Sequence, residues 1–191
     1  MLKRDLDFEI THICEVDSAL VKDELLKTLN ENEEIEINND RNNFSTHSKT
    51  KSHLIYNFPL EWDGELKMDA EVSTKDLRML DAVEPLIKLL EDHHDGKRGR
   101  VLLVNLPAGE KIPMHQDSGI YLQLVHRNHI PIITNDKVMF GVGNSLMSMK
   151  ENNAYEINNH KTHYVNNDSD FDRYHLIVDI IPFQLPIYET V

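Results

Sequence analysis

The sequence has a single cysteine, Cys14, in 191 residues. That excludes an internal disulfide framework and a cysteine-ligated zinc site, and it fits a reducing compartment, so the cytoplasm is the expected location. Basic side chains are also scarce, with 20 Lys and Arg against 33 Asp and Glu and a formal charge of −13. Such a chain repels phosphate backbones and has no Lys/Arg-rich block to offset the repulsion, so nucleic acid is not an expected partner. No apolar run approaches the roughly 18 residues of a membrane span, and residues 1–10 mix acids among their apolar positions where a signal peptide would be purely apolar. No membrane partner is expected either, and no internal repeat is present. The length suits one domain over 1–191.

The chain changes period near its middle. Before it, Leu6, Phe8, Ile10 and Ile13 suit an extended segment, and an N-cap at Asp17 or Ser18 introduces Leu20, Val21, Leu25 and Leu29 at helical spacing up to about Asn30. Residues 30–51 are rich in Asn, Glu, Ser and Thr, with Ile35, Ile37 and Phe44 as anchors, and read as surface loop. A strand from His53 to Phe58 is ended by Pro59. Trp62 follows in a turn, placed in the core or as a pocket wall. Ser73-x-x-Asp76 has the form of a capping box ahead of Leu77, Leu80, Val83, Ile87 and Leu90, with Pro85 predicting a kink or two abutting helices.

Beyond Asp95-Gly96 short strand patterns take over. They are Val101–Val104, Ile112–Asp117, Ile120–Val125, His129–Thr134, Val138–Val142 and Tyr174–Ile181, with Pro107-Ala108-Gly109, Asn135-Asp136 and later Asn-rich turns between them. Helices followed by many short strands predict an α+β, mainly β fold, a sandwich or barrel with helices outside it.

Chemistry concentrates in the second half. In a strand, residues i and i+2 share a face, so His115 and Asp117 can aim at one point. His163, in the alternating run Thr162–Val165, would add a second imidazole, giving the two-imidazole, one-carboxylate set that leaves positions open on Fe(II). Each residue alone also fits a solvated loop or a hydrogen-bonded core histidine. Arg173 opens an apolar strand, where a buried guanidinium is costly without an anion, although a strand-end arginine at the surface fits as well. Arg127 and His129 form another i, i+2 pair, facing either a cavity or solvent. His93 and His94 fit the last turn of a helix, His126 and His160 the surface, and Met139, Met147 and Met149 the core.

Taken in order, Leu106-Pro107-Ala108-Gly109, His115-x-Asp117, Arg127-x-His129-Ile130-Pro131-Ile132, Thr134-Asn135, His163 and Arg173-x-His175-Leu176-Ile177-Val178-Asp179 resemble the aspartyl/asparaginyl β-hydroxylase family of Fe(II)- and 2-oxoglutarate-dependent oxygenases. The likeness is strongest to its bacterial branch with the L-proline cis-4-hydroxylases, because the animal enzyme lacks a carboxylate where Asp117 stands. The resemblance covers 100–182 and implies a double-stranded β-helix there, and the rest of the single domain is expected to be a helical and loop flank with edge strands over 1–99 and a tail over 183–191. It implies His115, Asp117 and His163 as iron ligands, Arg173 at the distal carboxylate of 2-oxoglutarate, and Arg127 and His129 near its other end. O2 would be the co-reactant and a small molecule, amino acid or peptide the substrate. A serine that assists cosubstrate binding in the animal enzyme falls near Val104 here, which has no hydroxyl. A cupin-type metal-binding barrel without 2-oxoglutarate turnover and a non-catalytic binding module are the rival readings.

Overall fold

In the computed structural model, residues 6–30, 45–58 and 69–184 are described. Ile35, Ile37 and Trp62 lie outside them, as does Phe44.

Eleven strands run in chain order as β1 (Ile10–Glu15), β2 (Lys51–Asn57), β3 (Glu71–Val72), β4 (Gly96–Leu106), β5 (Lys111–His115), β6 (His126–Ile133), β7 (Val138–Val142), β8 (Ser145–Met147), β9 (Asn153–Ile157), β10 (His163–Asn167) and β11 (Arg173–Pro182) among the described residues. Their helices are α1 (Ala19–Asn30), α2 (Leu77–His94) and the short α3 (Ile120–Leu124). A seven-stranded antiparallel sheet has the order β1-β9-β6-β11-β4-β2-β3, and a four-stranded one the order β5-β10-β7-β8. The inner faces meet where Leu106, Tyr155 and Ile157 of the larger sheet pack on Ile112, Phe140, Val142 and Val165 of the smaller. Two antiparallel sheets closed face to face form the double-stranded β-helix, an α+β, mainly β fold.

The other face of the larger sheet is covered by α1 and α2. Val21, Leu25, Val83, Ile87 and Leu90 are buried there against Val101, Leu103, Ile130, Leu176 and Val178. Because side chains alternate across a strand, the residues between these point to the inner face. Strands β6 and β11 are therefore two-faced. Ile130 and Leu176 join the helix-side core, while Arg127, His129, Arg173 and His175 share the inner side.

Several local expectations change. Where a strand over 120–125 is expected, Ile120–Leu124 form a helical turn, α3. Gly119 turns the chain at φ 96°, and Tyr121 and Leu124, three apart, are the pair it buries. The cap of α2 is Asp76, whose carboxylate accepts from Met79 N at 3.0 Å, so the helix starts three residues later than a Ser73 cap requires. Thr74 Oγ1 instead accepts from Asp76 N at 3.0 Å. Pro85 sits inside one continuous helix. It removes a single helix hydrogen bond, and the buried stripe of Val83, Leu86, Ile87 and Leu90 carries the helix past it. On α1 the buried positions are Val21, Leu25 and Thr28, whereas Leu20 and Leu29 of the expected stripe are exposed. No helix among the described residues is long and apolar enough to cross a membrane.

Candidate active site

His115 is the last residue of β5 and pairs directly with His163, the first residue of β10. This register brings the rings to 4.2 Å between centroids. Asp117 lies two residues past the strand, its backbone N–H bonded to Asn159 O at 3.2 Å, so a loop and not strand alternation sets its direction. Its Oδ1 lies 4.0 Å from His115 Nε2 and 3.9 Å from His163 Nε2. One donor atom from each of the three lies within 4.8 Å of the others.

The outward nitrogens explain why these two rings are fit to bind a metal. His115 Nδ1 bonds Pro113 O at 2.8 Å and His163 Nδ1 bonds Lys161 O at 2.9 Å. A carbonyl accepts only from N–H, so both protons sit on Nδ1 and both Nε2 lone pairs face Asp117. Burial, outweighing the attraction of Asp117 and aided by His115, holds His163 below the usual imidazole range and keeps that lone pair free. Two imidazoles and a carboxylate with no cysteine form a donor set suited to Fe(II) with open positions.

Asp117 is held in turn. Arg127 Nη1 donates to its Oδ2 at 2.8 Å. The same guanidinium grips Asp179 with Nε on Oδ1 and Nη2 on Oδ2, each at 2.9 Å. Tyr121 donates to Asp179 Oδ2 at 3.1 Å and accepts from Arg100 N at 2.7 Å. Gly99 leaves room for this, since a Cβ there would collide with the Tyr121 hydroxyl. Burial opposes the Arg127 charge, but Asp117 and Asp179 outweigh it and hold its pKa above the ordinary arginine value. Burial, with Asp179 beside it, also pushes the Tyr121 phenol up, so it stays a donor.

On the inner face of the larger sheet, one row crosses four strands as Ser52, Val104, His175 and Pro131. Arg173 stands beside the row, paired with Leu106 and only 1% exposed. His129, opposite Ile177, meets His175 edge-on with centroids 5.9 Å apart. Ser52 Oγ and both ring nitrogens of His175 are buried and make no hydrogen bond among the described residues. Burial, then Arg173 and His129, holds His175 well below the usual imidazole range, so it is neutral at pH 7. Three participants gave no clear signal in the sequence. Ser52 and Tyr121 lie in no motif, and Asp179 ends one without a role attached. His47, edge-on to His115 at 5.2 Å, is a fourth.

Residues 15–182 match the family model described as aspartyl/asparaginyl beta-hydroxylase. No curated protein matches the sequence. Among solved structures the fold is similar to an oxidoreductase of the 2OG-Fe(II) oxygenase family from Burkholderia pseudomallei, at TM-score 0.58 and 11% identity over 92% of this chain and 85% of that one. It is also similar to a Pseudomonas putida prolyl-4-hydroxylase, at TM-score 0.56 and 8% identity over 93% and 95%. A third is the viral collagen prolyl hydroxylase of Paramecium Bursaria Chlorella virus-1, solved as a 2OG complex, at TM-score 0.58 and 7% identity over 93% and 98%. At such identities the likeness concerns the fold. The family match itself spans most of the sequence, and the chain belongs to the aspartyl/asparaginyl β-hydroxylase family of Fe(II)- and 2-oxoglutarate-dependent oxygenases.

Proposed function

We propose that this protein hydroxylates an unactivated carbon of a free amino acid or of an amino-acid side chain. In this reading His115, Asp117 and His163 hold Fe(II), and Arg173 holds the distal carboxylate of 2-oxoglutarate. The observation that carries it is the convergence of two imidazoles with fixed tautomers on one arginine-held carboxylate. Bound there, Fe(II) supplies the oxygen chemistry that couples decarboxylation of 2-oxoglutarate to succinate and CO2 with hydroxylation of a C–H bond.

The chain's own residues do the rest. The Pro113 and Lys161 carbonyls aim the two imidazoles, and Arg127 holds Asp117 turned toward them. Arg127 is occupied by Asp117 and Asp179, so its part here is to hold the carboxylate ligand, leaving His129 near the other end of the cosubstrate. The pocket for 2-oxoglutarate is assigned to the inner face around Arg173. A guanidinium fork matches a carboxylate bidentately. Ser52 Oγ and His175 flank Val104 on that face, and their unmade hydrogen bonds are what a carboxylate ligand would satisfy. They offset the missing hydroxyl at Val104.

The test is succinate release. Purified protein with Fe(II), ascorbate and 2-oxoglutarate is screened against free amino acids and peptides. Stimulated succinate with a hydroxylated product is expected. Iron binding with no succinate under any condition would overturn the reading in favour of a cupin-type barrel or a binding module.

A further inference from the structure

Strand β6 alternates between two faces, and its inner residues Arg127 and His129 have helix-side neighbours of equal polarity. His126 and Asn128 point to the opposite side of the larger sheet. There His94, the last residue of α2, and Glu156 of β9 meet them, and His94, His126 and Glu156 each offer one donor atom within 4.8 Å of the other two. The three residues come from a helix and two strands far apart in sequence. Asn128 and Glu156 are directly paired across β6 and β9.

Protonation in this cluster can be assigned from its bonds. Asn128 Nδ2 donates to His126 O at 3.1 Å and Val178 O at 3.0 Å, so its Oδ1 is the acceptor side. His94 Nε2, 2.8 Å from that Oδ1, must carry the ring proton, which leaves Nδ1 with a lone pair. His126 Nδ1–H donates to Glu156 Oε1 at 2.8 Å. The two rings lie together with centroids 4.0 Å apart and 28° between planes. Burial and the neighbouring His126 pull His94 down to about 4, so it carries no proton to displace at pH 7. Glu156 is 5% exposed, a position where a carboxylate needs a cationic or donor partner.

We propose that His94, His126 and Glu156 form a second metal site, for a divalent transition ion of the zinc class, that ties the end of α2 to β6 and β9. The ion takes the position between His126 Nδ1 and Glu156 Oε1, the single ring proton of His126 moves to its Nε2, and His94 Nδ1 supplies the third donor. Two imidazoles and a carboxylate suit Zn(II) at about 2.0–2.2 Å, with water as fourth ligand, and disfavour the oxygen-seeking Mg(II) and Ca(II). Asn128 is the outer partner that aims His94, as carbonyls do for the first cluster. The excess of 33 acidic over 20 basic side chains favours cation capture. The inference is independent of the oxygenase reading, since it concerns the other face of the sheet.

The test uses full-length protein stripped of metal, in a His115→Ala/His163→Ala background that removes the first cluster. After dialysis against Zn(II), one equivalent per chain should remain by elemental analysis, and Zn(II) should raise the melting temperature. Adding Glu156→Gln or His126→Ala should remove both the equivalent and the shift. Glu156→Gln is nearly isosteric, so it decides the matter if His126→Ala fails to fold. No retained Zn(II) in the background variant overturns the proposal, and so does Zn(II) retained after Glu156→Gln.

Discussion

Two clusters of the same composition, two histidines and one carboxylate, lie on the two sides of the larger sheet, the first carried by β5, β10 and a loop of the facing sheet and the second by β6, β9 and α2. Between the sheets, His115 and His163 hand their protons to backbone carbonyls and Asp117 is held by an arginine. Under α2, His126 donates to the carboxylate itself and His94 gives its proton to an amide. In the first, every supporting bond leaves the cluster and three lone-pair donors converge without satisfying one another. In the second, two members satisfy each other directly. The lesson is that outer partners decide what a cluster is ready to do. The first holds its donors open for an ion that must keep positions for reactants, and the second stays closed until an ion parts His126 from the carboxylate and its ring proton moves to the other nitrogen.

The comparison can be broken most severely at the first cluster. His115→Ala should abolish succinate release and lower metal affinity there by more than the roughly 10–100-fold typical of outer-partner changes, as measured by titration calorimetry. Retained affinity would mean that the donors lie elsewhere. Arg127→Ala should cost about 3–5 kcal/mol in denaturant unfolding, because Asp117 and Asp179 would be left as buried carboxylates without their shared cation. A change below about 1 kcal/mol would show that the chain of carboxylates does not depend on it.

Arg173→Ala should leave metal binding unchanged and weaken 2-oxoglutarate by about 2 kcal/mol or more, roughly 30-fold, in the inert Zn(II)-loaded protein. Unchanged cosubstrate affinity would refute its assignment. The helix-side cluster is probed by pH in metal-free protein. His94 is held at about 4 when folded against 6.5 for a free histidine, so the unfolded chain takes up its proton first. The contribution is intact above pH 6.5 and is lost as pH falls toward 4, on the order of 3 kcal/mol. His94→Asn should flatten that window, and an unaltered pH profile would remove His94 from the cluster's energetics. Smallest is Asp76→Ala at the start of α2, expected to cost about 1 kcal/mol through the lost cap.

Much of this was legible one residue at a time, and the reasons differ. Strands β6, β7 and β11 were readable because β-branched and apolar residues run between turn-forming Asn and Asp. The segment 120–125 was misread as strand because Ile-Tyr-Leu-Gln-Leu-Val is apolar at nearly every position, and no period shows whether such a run extends or coils. His126 looked like plain surface because its partners, His94 and Glu156, are distant in the chain and meet only when α2 docks and β9 pairs with β6. Ser52 was invisible for the same reason, since its position opposite Val104 exists only in the register of β2 on β4.

By itself, the sequence determined the class of fold and singled out His115, Asp117, His163 and Arg173 as candidates, because alternation and turn chemistry act over neighbouring residues. Only the tertiary structure decided that Asp117 is aimed by a loop, that Arg127 is bound to Asp117 and Asp179, and that a second imidazole and carboxylate cluster lies behind the first. Each of these rests on hydrogen bonds between segments far apart in the chain, and such bonds are set by sheet register and helix docking, which no local pattern encodes.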